Sequence, residues 1–248
     1  MGAVHVTYYT DPACPWSWAA EPGLRRLQVE FGDELDITYV MGGLAREFRR
    51  PLETMRHVMD AAEASGMPVD PRLWLDAPPR SSYPACQAVK AAAQQGLDGP
   101  YLRVVREGLM VDRRTLDSAD GLIDAARRVP GIDVDRFAID LRSNAIVEAL
   151  GADLERVREG PGLPAFLVGG EPVAAEALRD AVAGAGATAR PLPSVEEALR
   201  GLGTTTVPEV AAVCDLPPQR AAAELWRLAM EWRARPERVL AGELWAAA

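Results

Sequence analysis

The residues best placed for chemistry are Cys14-Pro15-Trp16-Ser17, which stand between a strand-like run and a helix-like run. A cysteine at the start of a helix lies beside unpaired backbone N–H groups and the positive end of the helix dipole. Both favour the reactive thiolate, so we expect the pKa of Cys14 to lie below the value of about 8.5 of a free thiol. The fourth position, where a redox pair has its second cysteine, is Ser17. Its hydroxyl lies one helical turn on, close enough to donate to the Cys14 thiolate or to a bound thiol.

The other cysteines and the two histidines are weaker candidates for catalysis. Cys86 follows Pro84 at a predicted helix start, and we favour a buried helix residue over the alternative of a second reactive thiol that resolves a Cys14 intermediate. We expect Cys214 in the core of the C-terminal helices. His5 and His57 form no ligand cluster, and His57 is predicted on a helix surface. Three cysteines are too few and too scattered for a disulfide framework, and with no Cys-x-x-Cys spacing we predict no metal site.

The elements around the motif are predicted as strand, helix and strand at 4–10, 18–31 and 34–40. A crossover this short implies parallel strands with a right-handed connection. The following segment is almost wholly helical and is punctuated by prolines. Helices are predicted at 51–65, 84–96, 99–111, 117–128, 134–142 and 143–158. A short apolar strand at 165–168, a hairpin turn and a helix at 175–183 then complete an α/β unit with an all-helical insertion.

Residues 195–248 are predicted as a small helical module with a helix-turn-helix pattern, after a linker at 184–194. This module carries six arginines against eight acidic residues, a net charge of −2. A DNA reader needs a basic face, so we interpret the module as a packing or dimerisation unit. Trp226, Trp232 and Trp245 suit a protein contact.

Composition limits the classes of function. The chain has 248 residues, of which 48% are hydrophobic and 25% charged, as in ordinary soluble globular proteins. The net charge of −9 argues against nucleic acid or an anionic membrane as partner. We find no signal-peptide pattern and no apolar stretch long enough for a membrane span. We therefore expect a cytoplasmic, reducing setting, in which cysteines are more often catalytic than structural.

The order of strand, Cys14-Pro-Trp-Ser17 at a helix start, helical insertion and Leu163-Pro164 before a short strand resembles the DsbA-like branch of the thioredoxin superfamily. More narrowly it is similar to the FrnE-like group of bacteria, which includes cytoplasmic oxidoreductases with Cys-Pro-Trp-Cys sites. Kappa-class glutathione transferases and 2-hydroxychromene-2-carboxylate isomerases share this fold and have serine in the site. The run from Ser81 to Ala91 resembles cytoplasmic thioredoxin-like adaptors that hand transcription factors to a protease.

The resemblance implies an α/β, thioredoxin-like fold with a large helical insertion and a small C-terminal helical appendage. The thioredoxin-like domain would comprise 1–44 and 157–185, the insertion 45–156 and the appendage 195–248.

The resemblance also implies site residues beyond Cys14 and Ser17. Pro164 would be cis and face Cys14, leaving the backbone of Leu163 free to pair with an extended peptide or a thiol tripeptide. Pro15 and Trp16 would hold the shape of the motif. Ser82 and Tyr83 would line the cleft.

Three functions follow from the resemblance. The first, which we favour from the sequence, is a cytoplasmic monothiol thiol–disulfide oxidoreductase, in which Cys14 attacks a protein or small-molecule disulfide. It would have no tightly bound cofactor, and an external thiol such as glutathione or mycothiol would resolve the intermediate. The second is a kappa-class-like transferase or isomerase in which Ser17 activates bound glutathione. The third is a non-catalytic adaptor that binds protein. A homodimer through the C-terminal helices is compatible with each.

Overall fold

A β–α–β unit holds the Cys14 motif in the computed structural model, which describes residues 2–248. Strand β1 (Val4–Thr10) runs parallel to β2 (Leu35–Met41), as predicted. The connection has two helices, α1 (Pro15–Ala19) and α2 (Glu21–Phe31), where one was predicted. Pro22 explains the break, because a proline has no N–H to donate to the carbonyl four residues earlier.

The first sheet has four strands in the order β2-β1-β3-β4. Strand β3 (Ala165–Val168) pairs antiparallel with β1 and continues through a glycine turn into β4 (Glu171–Val173). Tyr8 at the centre of β1 is fully buried and stacks on Phe166 of β3 at 4.3 Å between ring centroids. The main core lies between this sheet, α2 and the helices that follow β2.

The predicted helical insertion is present between β2 and β3. Its helices are α3 (Pro51–Ser65), α4 (Leu73–Asp76), α5 (Tyr83–Ala93), α6 (Asp98–Met110), α7 (Ala119–Ala126), α8 (Val134–Asp140) and α9 (Asn144–Arg158). All but α4 were predicted, with ends shifted by a few residues. α4 is a single turn and is too short to show helical periodicity. After β4 the chain forms α10 (Leu178–Gly184).

The C-terminal module differs from the all-helical appendage that was predicted. It has the predicted helices α11 (Val195–Leu202), α12 (Val207–Val213) and α13 (Pro218–Met230). It also has a sheet in the order β5-β7-β6, formed by β5 (Thr205–Thr206), β6 (Ala234–Val239) and β7 (Gly242–Ala247). β6 escaped prediction because Arg-Pro-Glu-Arg lacks a strand-like apolar alternation, and its proline is tolerated because β6 is an edge strand.

The expected tryptophan surface of the C-terminal module is also only partly present. Trp226 and Trp232 are exposed, but Trp245 is fully buried under an edge-to-face contact with Trp226.

The C-terminal module is packed directly on the thioredoxin-like part. Helix α12 lies against α2, and the buried carboxylate of Glu209 is within 3.0 Å of Arg25 on α2 and of Arg103 on α6. Leu244 of β7 joins a buried cluster with Trp18 of α1. The predicted linker is tied to the end of α2, because the backbone N–H of Arg190 donates to the carbonyl of Glu30 at 2.7 Å. Within residues 2–248, no helix combines the length and apolar character needed to cross a membrane.

Candidate functional site around Cys14

Cys14 is the N-cap residue of α1, as predicted, and its carbonyl accepts the N–H of Trp18. The side chain is only 3% exposed, and Ser17 on the next turn is fully buried. The thiol therefore sits at the positive end of a helix but below the protein surface.

A chain of buried polar groups runs from Ser17 into the core. The Thr10 hydroxyl at the end of β1 donates to Ser17 Oγ at 2.9 Å. Arg106 of α6 is fully buried, donates to Thr10 Oγ1 and pairs with Glu21 of α2. Burial alone would raise the pKa of Glu21, but the guanidinium of Arg106 and neighbouring arginines outweigh it and hold that pKa below its usual range.

Asp11 ties the Cys14 loop to two other segments. Its carboxylate accepts from Ala13 N at 2.8 Å, Leu44 N at 2.7 Å, Ser82 Oγ at 3.0 Å and the Cys86 thiol at 3.2 Å. Burial raises the pKa of Asp11, and these donors oppose that rise. Asp11 therefore positions the Cys14 loop and the Leu44 backbone.

Cys86 is a buried residue of α5, which is the interpretation favoured from the sequence. It is fully buried, its thiol is directed at Asp11, and burial followed by the Asp11 charge raises its pKa well above the ordinary value. Cys14, Cys86 and Cys214 are all free thiols. The arrangement does not favour the alternative in which Cys86 resolves a Cys14 intermediate.

The expectation that the pKa of Cys14 lies below that of a free thiol is wrong for this structure. Burial raises the pKa of the thiol. The hydroxyl and the backbone N–H of Ser17 lower it by hydrogen bonding, Asp11 raises it further, and Arg106 lowers it. Sequence shows the helix start but not the loss of solvent, and here desolvation is the larger effect.

A cavity of about 500 Å³ opens over the motif. Its lining residues are Cys14, Pro15, Trp16, Leu44, Ala45, Glu47, Phe48, Arg49, Arg50, Glu53, Thr54, His57 and Leu163. The Leu163–Pro164 peptide bond is cis, as predicted.

Some site residues fall elsewhere than expected. Ser82 and Tyr83 were expected to line the cleft, but neither is among the lining residues. Ser82 is buried and occupied by Asp11 and by the N–H of Ala45. Ser17 also stays below the cavity.

Sequence reasoning missed the wall formed by α3 and the loop before it. His57 is on the helix surface, as predicted, but that surface faces the cavity. Arg50, Glu53, Thr54 and His57 follow one another at spacings of three, one and three residues, which puts them on one helical face. That polar stripe was the signal available in the sequence.

The family is established by comparison with known proteins. A family model described as thioredoxin matches residues 8–160, so the chain belongs to the thioredoxin family. A putative protein disulfide isomerase from Nitrosomonas europaea superposes with a TM-score of 0.64 at 20% identity, covering 73% of this chain and 97% of that one. The cytosolic disulfide reductase DsbM from Pseudomonas aeruginosa gives 0.60 at 21% identity, covering 73% and 96%. These similarities confirm the predicted DsbA-like thioredoxin fold.

A relative found by sequence is named as an adapter and not as a disulfide oxidoreductase. The ClpXP adapter protein SpxH of Halalkalibacterium halodurans is 35% identical over 163 residues, which cover 61% of this chain and 53% of that protein. The chain spans about half the length of this relative and of its Bacillus subtilis counterpart.

Proposed function

We propose that this chain is a thioredoxin-fold adaptor that binds a protein partner in the cavity over Cys14. The proposal rests on the burial and the contacts of the cysteine thiols. Cys14 is covered, Ser17 replaces the second cysteine of the motif, and Cys86 is held at Asp11. Such a site cannot form and reduce an internal disulfide, but the cavity above it is open to a partner.

The groove suits a protein segment. Trp16 is 41% exposed and Leu44 43% exposed, so the cavity offers large apolar side chains beside the thiol. Arg49 and Arg50 stand at the rim, paired with acidic neighbours. Exposed tryptophan and arginine are the residue types that most often dominate binding energy at interfaces.

The relatives named ClpXP adapter proteins support the same function. By this proposal the chain presents its bound partner to a protease of that type, in the cytoplasmic setting expected from the sequence.

The test begins with a photo-crosslinking amino acid at Leu52, which is 65% exposed near the cavity on α3. The crosslinked partner is identified in host cells, purified, and measured for affinity and for its lifetime with ClpXP. Trp16→Ala should weaken binding about tenfold or more, as expected for a central aromatic contact. Ile139→Ala, at an exposed residue of α8, is the matched control and should have no effect.

The same partner also decides whether Cys14 takes part. Cys14→Ala should bind it as the wild type does, and ClpXP should degrade it faster when the chain is present. A partner that loses binding with Cys14→Ala, or whose lifetime does not change, would contradict the adaptor function.

Monothiol exchange is the second candidate, favoured by the place of Cys14 at the start of α1 and in the lining of the cavity. The Cys14 thiolate would attack a disulfide, forming a mixed disulfide and releasing one thiolate. An external thiol such as glutathione or mycothiol would resolve it, with no tightly bound cofactor. A structure of DsbM with GSH is among the similar structures. Mass spectrometry after exposure to oxidised glutathione at neutral pH should find a Cys14 adduct, and its absence rules this candidate out.

The kappa-class-like alternative is not favoured by the geometry. Ser17 is fully buried, accepts from Thr10 and does not line the cavity. Its hydroxyl is therefore badly placed to activate a thiol bound there.

A further inference from the structure

Helix α13 leaves an apolar stripe uncovered on the surface of the C-terminal module. Trp226 is 47% exposed, and Met230 on the next turn is 73% exposed. Ala223 is also exposed and completes the stripe, because residues three, four and seven apart share one face of a helix. A different side of α13, with the fully buried Leu225, packs into the core of the module. The stripe is therefore apolar surface beyond what the fold of the module uses.

A row of charged side chains with alternating sign runs along one edge of this stripe. In chain order the row is Arg220, Glu224, Arg227 and Glu231. Spacings of four, three and four residues keep the row on one side of the helix. Read from its other end, the row has the opposite sign at every place, so it is complementary to a reversed copy of itself.

An antiparallel pair of α13 helices related by a two-fold axis brings these two rows together, because such an axis reverses the chain direction but keeps the same edge. Arg220 then faces Glu231 of the second copy, and Glu224 faces Arg227 of the second copy. Every facing pair has opposite signs. A register shifted by one turn would place Glu224 against Glu231 and would be repulsive, so the charges specify one register.

The apolar stripe fits the same register. The two-fold axis passes beside Trp226, so the two indole rings meet at the centre of the contact. Each ring is held beforehand by its edge-to-face contact with the buried Trp245 at 5.0 Å between centroids, which reduces the freedom lost on binding. Met230 reaches the level of Ala222 in the second copy, where a small side chain leaves room for it. An aromatic centre with a charged rim is the usual anatomy of an interface.

We propose that the exposed face of α13, formed by this stripe and its row of charges, binds the same face of a second copy of this chain in an antiparallel, two-fold contact. Within one chain, Arg220 at 3.3 Å and Arg227 at 2.6 Å share the single carboxylate of Glu224. The second copy gives each of these arginines a carboxylate of its own. This redistribution favours the paired state and fixes its orientation.

The residue that follows the helix supports a contact at this face. Trp232 is 89% exposed and has a φ of 59°, in the left-handed region where a helix end usually has glycine. It adds apolar surface just beyond the C-terminal end of α13, although a tryptophan is costly in this conformation and gains nothing from burial within the chain.

The contact goes beyond the binding of a partner over Cys14. The lining residues of that cavity lie between positions 14 and 163, so α13 contributes no side chain to it. Pairing through α13 therefore adds a second copy of the cavity and does not fill the first.

Sedimentation velocity of the full chain over a series of concentrations tests the pairing. A contact between two helices of 13 residues is small for a stable dimer, so we expect a dissociation constant of about 10–100 µM and a monomer below about 1 µM. Met230→Glu should weaken the dimer about tenfold or more. Ile139→Glu is the matched control, because Ile139 is 72% exposed but lies on α8, and this variant should dimerise as the wild type does.

Two charge variants test the register. The double variant Arg220→Glu, Arg227→Glu makes the row wholly acidic, and the double variant Glu224→Arg, Glu231→Arg makes it wholly basic. Neither should self-associate, because like charges then face each other throughout. An equimolar mixture of the two should form a heterodimer, because every acidic side chain again faces an arginine. Circular dichroism checks that each variant is folded.

Three outcomes would overturn the inference. The first is a wild-type chain that stays monomeric well above about 100 µM. The second is a dimer that Met230→Glu and Ile139→Glu weaken equally, because the contact would then lie elsewhere. The third is a pair of folded charge variants that do not associate when mixed. None of these outcomes bears on the adaptor function, which is measured by binding of the partner at the cavity.

Discussion

Glu209 joins the C-terminal module to the thioredoxin-like part and allows a sharp prediction. The side chain is fully buried on α12, with Arg25 and Arg103 each at 3.0 Å. It also closes a capping box, because its carboxylate accepts the N–H of Thr206 at 2.8 Å. Glu209→Gln keeps the shape and the cap, since glutamine also completes a capping box, and removes only the charge.

The expected loss of stability depends on which charges stay paired after Glu209→Gln. Removing one partner of a buried ion pair costs about 3–5 kcal/mol, because the other charge is left buried and uncompensated. Arg103 still has Glu107 at 3.7 Å, so we expect the lower end, about 3 kcal/mol. Thr206→Ala, which removes the cap but leaves the ion pairs, should cost about 1 kcal/mol.

The measurement is the free energy of unfolding in urea at neutral pH. The matched control is Glu224→Gln on α13, which removes a carboxylate paired with Arg220 and Arg227 at the surface of the same module. That control should leave the urea midpoint unchanged, because exposed ion pairs contribute little. If Glu209→Gln were no more destabilising than Glu224→Gln, the buried pairs would not stabilise this interface and the reasoning would be refuted.

Three further predictions concern pH, the second thiol and the cavity wall. A hydrogen bond from Arg72 lowers the pKa of Asp70, so its contribution to stability should be lost as pH falls from about 5 towards 2, and Asp70→Asn should flatten the dependence of the urea midpoint on pH over that range. An equal slope in both proteins would contradict this. Cys86→Ala should lower the free energy of unfolding by about 1–2 kcal/mol and leave the rate of Cys14 alkylation unchanged; a changed rate would mean that Cys86 acts in the site. Gly42→Ala would place a methyl group against a cavity-lining leucine and should cost about 1–3 kcal/mol in urea unfolding, whereas an unchanged midpoint would mean that this wall moves freely.

Much of the fold could be predicted because its signals are local. Apolar residues at helical spacing, prolines and glycines placed α3 and α5 to α9 within a few residues of their ends. The cis bond at Pro164 was expected from the order of elements, by resemblance. The hairpin of β6 and β7 was missed because its charged edge strand lacks apolar alternation, and because single-sequence periodicity does not contain the long-range pairing of β7 with β5.

The candidate site divides in the same way. The sequence by itself determined that a cysteine caps a helix, that serine stands where its partner would be, and that the chain has the order of a thioredoxin-like protein. Only the tertiary structure decided that Arg106, 96 residues from Thr10 along the chain, lies beneath that serine, and that α3 forms the opposite wall of the cavity. The tertiary structure also raises the pKa of Cys14, where the sequence predicted a lowered one. Desolvation depends on every group packed around the thiol, and local sequence specifies only the nearest part of that environment.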